Sequence, residues 1–219
     1  LSSSSAASDV YKRQEYITEI INSNMYTLVP SGLSTIVGYK SYDMLSNYML
    51  VGEEGIKYYA EAHLSPWNAW IHTAVMPYSM YGMLFWLPAL FNLKPSVARK
   101  MMWSLYALFG GHYYRVNKMG ALLYYAMYYY TVKKATISYN ETYRIKTTEL
   151  IKDKVLVNRY CNKVQFYLLR KGLVISFCGL IFQEIFGHWI GGDIASRPEA
   201  VLNAIVYAMY FSSGHILGV

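Results

Sequence analysis

Residues 66–93, PWNAWIHTAVMPYSMYGMLFWLPALFNL, form a long apolar stretch without Asp, Glu, Lys or Arg. A helix that crosses a bilayer needs about 20 mostly apolar residues, and this stretch exceeds that length. Ser65 and Pro66 indicate where the helix begins, because Ser is a preferred N-cap and Pro a preferred first helical residue. The stretch therefore predicts a transmembrane helix that starts at Pro66.

The composition of the whole chain also favours a membrane protein. Of its 219 residues, 54% are hydrophobic and 15% are charged, whereas soluble domains have about 25% charged residues. The 24 Tyr and 5 Trp suit the membrane–water boundary, where one end of the ring is apolar and the other wet. A Tyr-rich soluble helical core is the alternative. Cys161 and Cys178 show no spacing typical of a zinc site or a disulfide framework.

Further apolar segments follow the first one. Residues 101–132 are apolar but interrupted by HYYRVNK, which predicts a membrane hairpin or a pair lying partly in the interface. Residues 164–190 and 199–219 are each long enough to span. Between them, Gly191, Gly192 and Pro198 predict a tight turn that makes these two segments antiparallel neighbours. The fold class predicted is an all-α, multi-span integral membrane protein with about four transmembrane segments, including a short broken or re-entrant pair.

Residues 133–163 predict a polar, basic loop. They contain eight Lys or Arg against three acidic residues, and the whole chain has a formal charge of +7. The positive-inside rule places such a loop on the cytoplasmic or matrix side. Anionic lipid headgroups are the partners that this charge favours. No motif for nucleic-acid recognition accompanies it.

The N-terminal part divides into two regions before the membrane domain of residues 58–219. Residues 1–14, LSSSSAASDVYKRQ, are expected to be a non-structural lead. Residues 15–57 are expected to be an amphipathic extension. Within it, residues 40–60 place apolar side chains on one helical face, which suits a membrane surface or a partner subunit equally well.

All five histidines lie in or at the ends of apolar segments: His63, His72, His112, His188 and His215. Ionisable residues at membrane depth are costly and often functional, although a single one is more often a hydrogen-bonded core residue. A helix that starts at Pro66 leaves His63 in the preceding segment, free to fold back. Asn68 and His72 are four residues apart and share a helical face. Two imidazoles and one amide can therefore converge at this helix start.

A second candidate group surrounds His188. Glu184 lies four residues earlier on the same predicted helical face, and Asp193 follows in the turn. Imidazole together with carboxylate oxygen is the donor set of non-haem iron sites. A carboxylate can instead orient the imidazole from the second coordination shell, or simply form a polar pair with it.

Two motifs resemble the 2-hydroxy-palmitate dioxygenase-like family of small multi-span membrane proteins. The segment YYAEAHLSPWNAWIHTAVMP, residues 58–77, is similar to the family pattern Y-x-x-x-H-x-x-P-x-N-x-x-I-H-x-x-x-x-P. Seven positions are in register: Tyr59, His63, Pro66, Asn68, Ile71, His72 and Pro77. The segment FGHWIGGDIASRPEAVL, residues 186–202, resembles the family's Gly-His motif through Gly187, His188, Asp193 and Pro198.

The resemblance implies an Fe(II)-dependent enzyme that shortens 2-hydroxy fatty acids by one carbon with dioxygen, in lipid α-oxidation. It implies that His63, His72 and His188 are iron ligands, with His112 as a possible fourth. Asn68, Glu184 and Asp193 would support them. A fatty acyl substrate and a location in the endoplasmic reticulum or another organelle would accompany this activity.

Some positions depart from the family pattern. The acidic residue after the Gly-His pair is Asp193, one position later than in the family, and Glu184 stands where the family has Gln. These departures and the N-terminal extension favour an alternative in which catalysis has been lost. The chain would then be a non-catalytic accessory subunit of a large complex of the mitochondrial inner membrane, such as a respiratory complex or ATP synthase.

Overall fold

The computed structural model describes residues 31–47, 50–152, 157–193 and 201–215, which contain helices and no strand. Seven α-helices occur there, together with a π-helical segment at Gln183–Trp189. In chain order they are α1 (residues 31–45), α2 (Gly52–Ala60), α3 (Pro66–Leu90), α4 (Pro95–Val116), α5 (Lys118–Lys152), α6 (Val157–Phe182) and α7 (Val201–His215). The predicted all-α class is confirmed.

Helix α3 is the centre of the bundle. It packs most extensively against α6 and also contacts α4, α5, α7 and the π-helical segment. It begins at Pro66 after the N-cap Ser65, as the sequence predicts, and it continues through Pro77 and Pro88. Since α3 contacts most of the bundle, the residues of its first two turns lie where several elements meet.

The pairing of α3 with α6 is antiparallel and depends on small residues. Gly82 and Gly172 face one another so closely that a Cβ on either would meet the backbone of the opposite helix. Nearer the start of α3, Ser176 Oγ donates to Ser79 O at 3.2 Å, and Gln183 Nε2 donates to Ser79 Oγ at 3.2 Å. This close contact brings the end of α6 to the beginning of α3.

The core is rich in tyrosine. Tyr113, Tyr124, Tyr128, Tyr139 and Tyr207 are fully buried. The hydroxyl of Tyr139 donates to Leu93 O at 3.1 Å, and that of Tyr113 donates to Val206 O, which satisfies polar groups that burial would otherwise penalise. These five tyrosines therefore pack in the core and not at a membrane boundary. In this respect the molecule has the Tyr-rich helical core that the composition left as an alternative.

Membrane-spanning character is supported for one helical stretch. Among the described residues, only Lys163–Trp189 is long and apolar enough to cross a bilayer. Only 28% of its most apolar 18-residue part is buried inside the protein, so most of its apolar side chains face outward. Single helices of this kind also occur in soluble cores, and the multi-span arrangement stays a prediction.

Three local predictions were wrong. Residues 133–152 are not a loop but the continuation of α5 from Lys118, because no Gly or Pro interrupts them. Residues 40–60 are two helices, not one, since the chain turns at Gly52, whose φ of +64° lies in the left-handed region. Helix α2 then extends to Ala60.

The third error concerns α7, which packs against α2, α3 and α5 rather than against α6. After the π-helical segment the chain turns at Gly192 and reaches Asp193, whose carboxylate is bound at the start of α3. The expected helix start at Pro198 and the expected lead of residues 1–14 lie outside the described residues.

Candidate metal centre

Three histidines from three different elements meet beside the start of α3. His63 lies in the connection between α2 and α3, His72 on the second turn of α3, and His188 in the π-helical segment. All three are buried. The convergence of His63 and His72 that the helix start at Pro66 predicts is present, and His188 joins them from the end of α6.

The three imidazole rings are in mutual contact. The ring centroids of His63 and His72 are 4.3 Å apart, those of His63 and His188 4.8 Å, and those of His72 and His188 5.1 Å. Each ring offers one nitrogen, and these three nitrogens lie within 4.8 Å of one another. Among the described residues, this is the group of His, Cys, Asp or Glu side chains that could hold a metal ion.

Hydrogen bonds assign the tautomers of two of these histidines. His63 Nδ1–H donates to Tyr59 O at 2.8 Å, and His72 Nδ1–H donates to Asn68 O at 3.1 Å. Since the other partner in each bond is a carbonyl oxygen, Nδ1 must carry the proton and Nε2 keeps its lone pair. Metal-ligating histidines are usually oriented by a hydrogen bond from their second ring nitrogen to a group such as a backbone carbonyl.

His63 Nε2 is the clearest sign of a ligand site. It is buried, and it has no hydrogen-bond partner among the described residues. An unsatisfied buried polar atom costs about 1–3 kcal/mol. A cation between the three rings would satisfy it, which makes the donor set a good fit for a divalent transition metal.

The spacing of the rings is close to what such an ion needs. Two nitrogens bound to one ion at about 2.1 Å each can be at most about 4.2 Å apart. The observed limit of 4.8 Å exceeds this by a few tenths of an ångström. Three nitrogens around one ion cannot all lie on opposite sides of it, so the rings would have to move inward for all three to bind one ion.

Burial keeps His63 neutral. Loss of solvent, the largest cause, and the neighbouring His188 lower its pKa to about 4, although the Tyr59 carbonyl and the Asp193 carboxylate act in the opposite direction. A pKa near 4 means that the imidazole is unprotonated at pH 7. Only the neutral form can donate a lone pair to a metal.

Asn68 and Asp193 connect the elements that carry the histidines. Asn68 is fully buried, and its Nδ2 lies 2.8 Å from Asp193 Oδ2, 3.2 Å from Ala62 O and 3.3 Å from His188 Nδ1. Both carboxylate oxygens of Asp193 accept from Ser65 N–H, at 3.1 and 3.0 Å. Ser65 is the N-cap of α3 and makes no side-chain capping bond. The Asp193 carboxylate lies at this helix start, where a negative charge is favoured.

The Gly-His pair owes its position to the glycine and to the π-helical backbone. A Cβ on Gly187 would overlap Asn68 Oδ1 and lie 3.1 Å from His72 Cε1. Only glycine therefore allows the π-helical segment to approach α3 closely enough for His188 to join the cluster. π-Helical turns are rare and occur frequently at functional sites.

The structure does not bring the other candidate residues into the cluster. The ring nitrogens of His112 contact Ser41 Oγ at 3.2 Å and Tyr207 hydroxyl at 3.3 Å, so His112 lies apart from the three clustered histidines. Glu184 lies on the exposed side of the π-helical segment, whereas His188 is buried. His215 ends α7, and its side chain lies outside the described residues.

Sequence reasoning overlooked Tyr59 as part of the site. Its ring stacks on His63 with centroids 4.3 Å apart, and its carbonyl fixes the tautomer of that histidine. The signal was available, since Tyr59 is four residues before His63 and is the first position of the same sequence motif. Phe211 of α7 covers the same ring from another side, at 5.1 Å, and no local motif marks it.

Comparison with known proteins adds no family assignment. No family model, curated protein or solved structure matches this chain. The case for function therefore depends on the cluster itself and on the motif resemblance.

Proposed function

We propose that this chain is a membrane-bound, Fe(II)-dependent dioxygenase that acts on 2-hydroxy fatty acids. The observation that carries the proposal is the buried lone pair of His63 Nε2 in a cluster of three histidines. Three neutral nitrogen donors leave other coordination positions of an iron ion open, which non-haem iron oxygenases require. The spacing of His63, Asn68 and His72 in the family pattern adds to this support.

The residues of the site would hold the metal and exclude water. His63, His72 and His188 would bind Fe(II), which when bound would supply open positions for dioxygen and for the oxygen atoms of the substrate. Tyr59 and Phe211 pack against His63 and limit access of water from that side. Asn68 and Asp193 would keep the His188 segment against α3.

We further propose that the bundle is a multi-span membrane protein, of the endoplasmic reticulum or the mitochondrial inner membrane. Support comes from the outward-facing apolar residues of Lys163–Trp189. The 25-residue α3 lies antiparallel to this stretch and would cross with it. Lipids, including those with anionic headgroups, would surround the helices, and a fatty acyl chain could enter the site laterally.

Metal analysis tests the enzymatic proposal. Protein purified in detergent under reducing conditions should contain about one iron per chain, measured by elemental analysis. His72→Ala should lose most of it, because one of three ligands is removed. His112→Ala is the matched control: it removes an equally buried histidine outside the cluster and should keep its iron. Zinc in place of iron, or no metal in the unsubstituted protein, would contradict a dioxygenase.

A second candidate function is that of a non-catalytic accessory subunit of a large mitochondrial membrane complex. The observation that favours it is the outward face of α1, where four large apolar residues are exposed: Leu33, Ile36, Val37 and Met44. On its other side α1 packs tightly on α4, since a Cβ on Gly38 would overlap Leu108 O.

Native gel electrophoresis from membranes in mild detergent distinguishes the two functions. An accessory subunit should migrate with a stable complex, and His72→Ala should leave that migration unchanged. A free monomer would exclude the accessory role.

A further inference from the structure

Two tryptophans on opposite helices mark the end of the bundle where the metal centre lies. Trp67 is on the first turn of α3 and Trp189 at the end of the π-helical segment, and their side chains are 54% and 80% exposed. Trp67 Nε1–H donates to Phe186 O at 2.9 Å, which ties the two elements together. Trp70, one turn further along α3, is exposed as well. Exposed indoles are costly in water and favoured at the boundary between lipid and water.

Two cationic residues lie midway along α6, beside the last turns of α3. Lys171 lies on α6 with its Nζ 4.8 Å from the centre of the Phe85 ring and 3.4 Å from Thr142 Oγ1, and Arg170 beside it is exposed. Lys and Arg near the membrane boundary extend their charged groups toward the headgroups while the stems stay in the apolar layer. Eighteen residues separate Lys171 from Trp189, which is about 27 Å at 1.5 Å per residue. The hydrocarbon core of a bilayer is about 30 Å thick.

Apart from Glu184, which is exposed five residues before Trp189, the large exposed side chains between these two levels are apolar. On α6 and the π-helical segment, large apolar side chains are exposed along this whole surface: Leu173, Val174, Phe177, Leu180, Ile181 and Ile185. Tyr78, midway along α3, is exposed on the same helix as Trp67. This surface is about as long as the hydrocarbon core of a bilayer is thick, and it has aromatic residues at one end and cationic residues at the other. These features match a lipid bilayer better than a protein partner, because a protein interface would not need to match the thickness of a membrane.

We infer that the polar boundary of the bilayer passes through Trp67 and Trp189, so that the histidine cluster lies at headgroup depth. The inference rests on the proposed membrane location and adds to it the depth and orientation of the site. His188 is the residue before Trp189, and Asn68 is the residue after Trp67, so the cluster cannot lie far from this level. A site at this depth takes amphiphiles from within the leaflet: the polar end of the molecule meets the histidines while its acyl chain stays among the helices.

Depth-dependent fluorescence quenching tests this placement. The full chain is placed in phosphatidylcholine nanodiscs with a single tryptophan, either Trp189 with the other four changed to Phe, or a tryptophan introduced by Phe177→Trp in the Trp-free chain. Spin labels are attached to the lipids at the headgroup or near the end of the acyl chain. The headgroup label should quench Trp189 roughly twofold more than the chain-end label, and the order should reverse for position 177.

Three outcomes would overturn the inference. Equal quenching of both positions by the chain-end label would place the metal centre at the bilayer midplane. Absence of quenching by either label at Trp189 would mean that protein covers this surface, and quenching only by an aqueous quencher would place it in water. Iron content is measured on the same samples, so loss of metal with the expected quenching pattern would contradict the enzymatic proposal and leave the depth of the site intact.

Discussion

At the scale of single residues, Gly187 decides whether the third histidine reaches the other two. A Cβ there would overlap Asn68 Oδ1 and press on His72 at 3.1 Å. We therefore expect Gly187→Ala to push the π-helical segment away from α3, with a loss of stability of about 1–3 kcal/mol and a loss of iron. Thermal unfolding in detergent and elemental analysis measure the two effects.

Gly32→Ala provides the control for this substitution. Gly32 lies on α1, and nothing is within 4 Å of the place where its Cβ would be. The change should leave iron content unaltered and stability unchanged or slightly increased, since Ala favours a helix over Gly by about 1 kcal/mol. If Gly187→Ala retained its iron and its unfolding temperature, close approach at this position would not be what assembles the cluster.

The burial of His63 predicts a pH dependence for the metal-free protein. Its pKa is about 4 in the folded chain and 6.5 when unperturbed, so the unfolded chain binds the proton more readily. The stability contributed by the neutral imidazole is complete above pH 6.5 and is lost as the pH falls toward 4, by at most about 1.4 kcal/mol per pH unit. Unfolding temperatures after chelation, measured from pH 7.5 to 4.5, should fall in this window. His63→Gln should reduce the slope by up to this amount, and an unchanged slope in that variant would assign the whole effect to other groups.

At the scale of secondary-structure elements, the α3–α6 pair holds the site together. A Cβ on Gly172 would overlap the backbone nitrogen of Trp86 and lie 2.7 Å from Gly82 O. Backbone atoms cannot move aside as side chains can, so Gly172→Ala should separate the helices and destabilise the protein by about 1–3 kcal/mol. Leu173→Ala, at the exposed neighbouring position, should change stability by less than about 0.5 kcal/mol. Equal unfolding temperatures for the two variants would contradict close packing at this crossing.

Local signals predicted some of these elements and not others. The start of α3 at Pro66 follows from residue chemistry within a few positions, and this start alone brings His63 toward His72. The π-helical segment has no such signal, because its extra residue per turn depends on contact between Gly187 and α3. Helix α7 packs against α2, α3 and α5, and these contacts join residues that are far apart in the sequence. The hydrophobic periodicity of a single segment therefore cannot predict the π-helical turn or the packing of α7.

At the scale of the whole molecule, the outward-facing apolar side of α6 predicts stable insertion in a membrane. Phe177 lies near the middle of this side and is exposed. A Lys at the centre of a spanning helix costs about 2.5–3.5 kcal/mol in insertion, so Phe177→Lys should reduce the fraction of chain that resists alkaline carbonate extraction. Ile145→Lys is the matched control, because Ile145 is also apolar and exposed but lies on the basic part of α5, where a further cation meets water or headgroups. Release of the unsubstituted chain into the carbonate supernatant would mean that the bundle is a soluble Tyr-rich core. If both Lys variants stayed in the membrane fraction, the membrane would contact a different face of the bundle from the outward side of α6.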